Sequence, residues 1–134
     1  MTQIDLARAY LKKLPSRLQS LKIFFDAENF SDVVRESQEL LELALKAILR
    51  TYSFDPPKYH DVGKYLLNYK DRLPITENEL QYLIQESTWL RGERELSMYG
   101  EEDFFPDREY SSSDAVRAIS AAKFAKELAE KVVM

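Results

Sequence analysis

The sequence predicts an all-α fold, an up-and-down bundle of four to six helices. Apolar residues recur at steps of three and four through long stretches, and no alternating run suggests a strand. Glycine is scarce, three in 134 residues alongside five prolines, and helical bundles need fewer glycine-dependent turns than sheets do. Helix starts are written as capping pairs, Thr76 with Glu79 and Ser111 with Asp114, in which each side chain satisfies a free amide of the first turn.

At 134 residues, with 45% hydrophobic and 31% charged residues, the chain is expected to form one domain (residues 1–134) around a sizeable core. A net charge of −4 argues against a generally basic nucleic-acid binder, whose affinity rests on neutralising phosphates. A local basic patch is compatible with it. The absence of cysteine removes disulfides, thiolate zinc sites and cysteine nucleophiles, and fits a reducing compartment. No apolar run approaches the ~20 residues of a membrane span and no signal-peptide pattern opens the chain. A soluble cytoplasmic protein with no membrane association is the expectation.

Taken in order, Ile4, Ala7, Leu11 and Leu14 share one side of a first helical piece. Pro15 either ends that piece, with Ser16 capping a new start, or kinks one longer helix. Leu18, Leu21, Phe24 and Phe25 continue the stripe to about Asn29. Asn29 to Asp32 forms a connector with capping chemistry, and the strongest helix follows, from about Asp32 to Tyr52. Val34, Gln38, Leu41, Leu45 and Ile48 form one row; Ser37, Leu40, Ala44 and Ala47 widen it. A band this wide suits a helix with neighbours on several sides. Arg35, Glu39, Glu42 and Lys46 are assigned to the opposite face, with Glu42 and Lys46 an i, i+4 pair in the favourable order. Asp55-Pro56-Pro57 then stops the helix. Asp61 caps a short helix marked by Val62, Tyr65, Leu66 and Tyr69, reaching about Arg72 before Pro74.

The next helix, Glu77 to Tyr99, organises the rest. Leu80, Ile84, Ser87, Arg91, Arg94 and Met98 fall on one face, oily at its start and carrying two arginines at its end, and Gly100 suits a left-handed stop. Arginine is almost never fully buried without a partner, so this face leaves the core, meets an acid or lines a cleft. Gly92 inside the helix costs ~1 kcal/mol relative to Ala, which suggests close helix approach or a local break. Phe104 and Phe105 are expected to fold back on the core from the acidic loop after Gly100. The last helix, to about Val133, divides into an apolar side (Val116, Ile119, Ala122) and a basic one (Lys123, Lys126). There is no internal repeat: a 34-residue helical repeat would show its tryptophan twice, and Trp89 is the only one.

Three segments in this order resemble the HEPN family, the prokaryotic and eukaryotic nucleotide-binding helical domain. They are ESQELLELALKAIL (Glu36 to Leu49), KYHDVGKYLLNY after the proline break, and LRGERELSMYGEEDFFPDREYSSSDAVRAISAAK. Together they span about Ser16 to Val133. The resemblance implies a helical bundle of the nucleotidyltransferase substrate-binding-subunit type that forms a homodimer, with a polar cleft between its long helices. It also implies one of two roles. Some members are metal-independent ribonucleases built on Arg, a gap of four to six residues, then His; others are toxin–antitoxin partners of a small nucleotidyltransferase. Here Tyr99 stands five residues after Arg94, no histidine follows Arg91, and the single histidine, His60, lies upstream.

The candidate nucleotide- or anion-binding residues are Arg91, Arg94, Tyr99, Glu42 and His60. Guanidinium forks grip phosphate oxygens bidentately and a tyrosine ring can stack on a base. The plainer alternative is that the arginines pair with Glu42, Glu95, Glu101 or a dimer mate and fix the fold. His60 could serve as a general base or simply pack at a helix start. Glu101, Glu102, Asp103 and Asp107 lack the spacing of a calcium loop, and no metal or cofactor is expected. Trp89 suits a dimer interface. No glycine-rich phosphate loop, nucleophile elbow or zinc histidine pair occurs. The expected function is a nucleotide- or RNA-associated binding partner of a small nucleotidyltransferase. A divergent ribonuclease using Arg94 with Tyr99 or His60, and a helical interaction module with no ligand, are the alternatives.

Overall fold

Four long helices carry the architecture: α1 (Gln3–Asp26), α2 (Phe30–Thr51), α3 (Glu77–Tyr99) and α4 (Ser112–Val133), with a 3-10 helix, η1 (Gly63–Tyr69), between α2 and α3. The computed structural model describes residues 2–58, 61–99 and 110–134, the side chains of residues 94–99 excepted. No strand occurs among the described residues.

α1 begins with a capping box, Thr2 and Asp5 bonding reciprocally to each other's amides. It runs unbroken through Pro15, so the reading in which Pro15 ends a first helix is corrected. Ser16 opens no new helix; its hydroxyl donates back to the Lys13 carbonyl at 3.4 Å. Ala7, Leu14 and Leu21 are the fully buried residues of α1, a seven-residue repeat that gives a narrow seam suited to a neighbour at a shallow angle. Ile4, expected on this seam, is 37% exposed.

α1 and α2 end alike. Glu28 and Ser53 adopt left-handed backbone (φ 61° and 63°). After α1, Asn29 N–H reaches Phe24 O and Glu28 N–H reaches Phe25 O; after α2, Phe54 N–H reaches Leu49 O and Ser53 N–H reaches Arg50 O. This paired pattern is the Schellman closure, here built without glycine. α2 therefore stops before the Asp55-Pro56-Pro57 segment that was expected to end it. It also starts two residues earlier than the Asp32 expectation, and the Asn29 side chain makes no cap.

α2 is the hub. It packs most extensively on α1 and α4 and also against α3 and η1. The neighbours are antiparallel: Arg17 of α1 bonds Glu36 and Glu39 of α2, while Arg50 near the other end bonds Gln3. On α3 and α4, Glu86 pairs with Arg117 and Tyr82 meets Phe124 edge-on. The resulting order is up-down-up-down. With neighbours on several sides, α2 buries Val34, Gln38, Leu41, Leu45, Ile48, Ser37, Leu40, Ala44 and Ala47 as expected, and Glu42 as well. The placement of Glu42 on an exposed face is thus corrected; it is 8% exposed, because α3 covers that side.

Two faces shift from their expected registers. α3 buries Leu80, Leu83, Glu86, Ser87 and Leu90, so its core stripe runs beside the Leu80–Ile84–Arg91 line and Ile84 is only half-buried. In α4, Val116 is 52% exposed, and the core face is Ala115, Ala118, Ala121, Ala122, Ala125, Leu128 and Ala129. These small residues let α4 lie close on α2. The expected capping boxes at Thr76–Glu79 and Ser111–Asp114 are both formed. Gly100, Phe104 and Phe105 lie outside the described residues.

Candidate functional site

Gln38, Glu42 and Lys46 recur every four residues along α2 and so stand in one row. α3 brings Arg91 against that row from the opposite direction. The Glu42 carboxylate is the meeting point: Gln38 Nε2 donates to Oε2 at 2.7 Å, Arg91 Nη1 approaches Oε2 at 3.4 Å, and Lys46 Nζ lies 3.2 Å from Oε1. Gln38 is almost wholly buried, while the Arg91 and Lys46 side chains are each 19% exposed. A carboxylate drawn into the interior is tolerated when cations and donors surround it. The result is a polar seam, anchored from α2, that holds a guanidinium at the bundle surface.

Of the expected site residues, the structure brings together Arg91 and Glu42. The backbones of Arg94 and Tyr99 belong to α3, and their side chains lie outside the described residues. His60 lies outside them altogether, as do Glu101, Glu102, Asp103 and Asp107. Gln38 and Lys46 complete the seam but were not among the expected site residues. Their four-residue spacing to Glu42 was the available signal, masked because Gln38 reads as core and Lys46 as surface.

Gly92 does not serve a close approach. It is exposed, and a Cβ built there would meet nothing within 4 Å. Close approach occurs at Gly63 instead, where a Cβ would lie 2.7 Å from both Cβ and Oγ of Ser87. Asp61 holds this contact: it accepts from Ser87 Oγ at 2.5 Å, Thr88 Oγ1 at 2.6 Å and Gly63 N–H at 3.0 Å. The cap position of η1 is Val62, with no side-chain cap bond, so the capping role expected of Asp61 is corrected: it stands one residue earlier and clamps the connector onto α3.

On the far side of α3, Trp89 is half-buried, with the Arg117 guanidinium 3.7 Å from its ring centroid. The Arg117 Nε donates to Glu86 at 2.8 Å, which fixes that stacking. Tyr110 OH donates to the Glu93 carboxylate at 2.8 Å, tying the start of α4 to α3. No helix among the described residues is long and apolar enough to cross a membrane.

A family model for the HEPN domain matches residues 7–132. No curated protein matches the chain. The match covers nearly the whole sequence, and the four antiparallel helices agree with an all-α bundle: the chain belongs to the HEPN family of helical, nucleotide- and RNA-related domains.

Proposed function

We propose that the chain, as one domain and as a cytoplasmic homodimer, is a nucleotide- or RNA-associated binding and regulatory partner of a small nucleotidyltransferase, of the toxin–antitoxin type. The observation that carries this reading is the Arg91–Glu42 contact at 3.4 Å. A guanidinium seated on a buried carboxylate holds a positive charge and a planar donor fork in a fixed place, which is the chemistry that recognises an anion. The seam offers binding chemistry, and the sequence supplies no histidine downstream of Arg91 to act as the acid or base of strand cleavage.

Co-expression with a small nucleotidyltransferase encoded beside it, followed by size-exclusion chromatography with mass measurement, tests the proposal. The expected result is a stable complex containing two copies of this chain, together with purified protein that leaves single-stranded RNA intact. RNA cleavage that disappears in Arg94→Ala would overturn it in favour of a ribonuclease. Failure to associate with the nucleotidyltransferase, with Arg91→Ala and Arg94→Ala only lowering stability, would overturn it in favour of a plain helical module.

A further inference from the structure

The two halves of α1 are held in different ways, and Pro15 marks the boundary between them. Pro15 has no N–H to donate to the Leu11 carbonyl, and its ring crowds that carbonyl. The turn from Leu11 to Pro15 is therefore the weakest in α1, although the helix runs through it. It faces water: Lys12, Lys13, Pro15 and Ser16 are exposed, and Ser16 Oγ donates to the Lys13 carbonyl at 3.4 Å. Solvent reaches this turn without disturbing the core.

From Leu14 onward the helix is well seated. Leu14 and Leu21 lie in the main core, and Arg17 bonds both Glu36 and Glu39 of α2 at 2.9 Å. Residues 3–11 rest instead on a smaller cluster that Ala7 forms with Ala47 and Val133, with Tyr10 half-buried against it. The polar anchor of this segment is Arg50. Its Nη1 donates to Gln3 Oε1 at 2.7 Å, and its guanidinium lies 5.5 Å from the Tyr10 ring centroid. The anchor itself is poorly satisfied. The Arg50 side chain is 15% exposed, while its carboxylate partner Asp55, 3.2 Å away, has 79% of its side chain in water. Arg50 Nε is buried and donates to nothing among the described residues. A buried donor without a partner favours any motion that lets water reach it.

We infer that residues 3–11 form a strap that opens as one unit on a hinge at Leu11–Pro15, uncovering Arg50 while the rest of α1 stays docked. Opening gives up the Gln3 bond and the contacts of Ala7 and Tyr10, and it brings water to Arg50 Nε. Proteins open locally in contiguous units bounded by weak points in packing and hydrogen bonding. In α1 both kinds of weakness meet at one turn. The strap thereby gates access to a guanidinium that the closed bundle covers. Neither Arg91 nor Glu42 takes part, so the strap does not depend on the function proposed for them.

The test is native-state hydrogen exchange of the intact protein, resolved to single amides by NMR. Amides of residues 6–14 bond to carbonyls four residues earlier, beginning with Leu6 N–H to Thr2 O at 3.1 Å, so they report the strap. Those of residues 19–24 report the docked half. The expected result is a step at Pro15, with residues 6–14 sharing one level of protection at least tenfold below that of residues 19–24. Pro15→Ala restores the missing donor and should shrink the step at least threefold. Gln3→Ala, at a half-buried position, should speed exchange of residues 6–14 at least threefold and leave residues 19–24 unchanged. Labelling by phenylglyoxal, read by mass spectrometry, should modify Arg50 more slowly in Pro15→Ala than in the parent. A smooth gradient of protection from Leu6 to Leu14 would overturn the inference in favour of ordinary end fraying. Equal protection on both sides of Pro15, a step undiminished in Pro15→Ala, or Arg50 labelling indifferent to that substitution would each overturn it as well.

Discussion

Arg91 and Glu42 meet across the α2–α3 seam through the carboxylate oxygen that also accepts the bond from Gln38, with Nη1 and Oε2 3.4 Å apart. The carboxylate is the buried member, while both of its cationic neighbours reach water. Removing it would leave Arg91, Lys46 and the Gln38 amide around an empty space. Breaking a fully buried pair costs about 3–5 kcal/mol; because the cations here can turn to solvent, Glu42→Ala is expected to destabilise by roughly 2 kcal/mol, within the range for a polar group left unsatisfied. Urea unfolding reads this directly. Glu39→Ala is the control: its pair with Arg17 leaves 33% and 31% of the two side chains exposed, and its loss should cost under about 1 kcal/mol.

Gly63 is required by space. Its backbone lies against Ser87, and an added methyl would sit 2.7 Å from two side-chain atoms there, one of them the Cβ that cannot rotate away. Either η1 moves off α3 or the Asp61 clamp opens. Gly63→Ala is therefore expected to cost about 1–3 kcal/mol, the range for overpacking in a tight contact. Pairing it with Ser87→Gly removes the obstructing atoms, and the double variant should be less unstable than the two single losses added together. Simple additivity in thermal unfolding would mean that the contact is not what limits position 63.

Helix ends supply the next expectation. Ser53 and Glu28 occupy left-handed positions that closed helices usually give to glycine. A side chain in that region is disfavoured by roughly 1 kcal/mol, a strain that glycine does not carry. Ser53→Gly and Glu28→Gly are each expected to stabilise by about 0.5–1 kcal/mol, the larger flexibility of glycine in the unfolded chain offsetting part of the relief. Neither side chain is buried, so little packing is lost. Differential scanning calorimetry should show both melting temperatures raised, and a fall in both would show that the turns are not strained.

The same turns explain what the sequence disclosed and what it withheld. Helix periodicity and the capping boxes at Thr76 and Ser111 are local chemistry, so they were legible. The ends of α1 and α2 were legible to within three residues, about Asn29 and Tyr52 against Asp26 and Thr51, but not their chemistry, because Glu28 and Ser53 stand where glycine usually does and Asp55-Pro56-Pro57 looks like the stop. Glu42 was misplaced because its burial depends on α3, which no local pattern reveals; once α2 is known to be the hub, its polar row becomes interior. Val116 falls on the apolar side by spacing, yet it is half-exposed while Ala122 beside it is buried. The α2–α4 contact instead selects for smallness, and Ala115, Ala118 and Ala122 fill it. Arg91 was identified from charge on an oily helix face, a signal that survives because buried guanidinium groups need partners.

Gly92 is the opposite case to Gly63. Its position in α3 suggests a reason for glycine, yet it faces solvent, has ordinary helical backbone and borders open space on the side where a Cβ would go. Glycine in a helix interior loses more backbone freedom on folding than alanine, a difference of about 0.5–1 kcal/mol. With no neighbour to obstruct the methyl, Gly92→Ala is expected to stabilise the protein by that amount. The measurement is the urea midpoint at unchanged m-value, since a change in slope would signal altered compactness. Seated next to Arg91 in sequence, the substitution also tests the seam: added helix rigidity should leave the Arg91–Glu42 contact in place. A variant less stable than the parent would mean that α3 requires a flexible residue at 92 for a reason other than steric clearance.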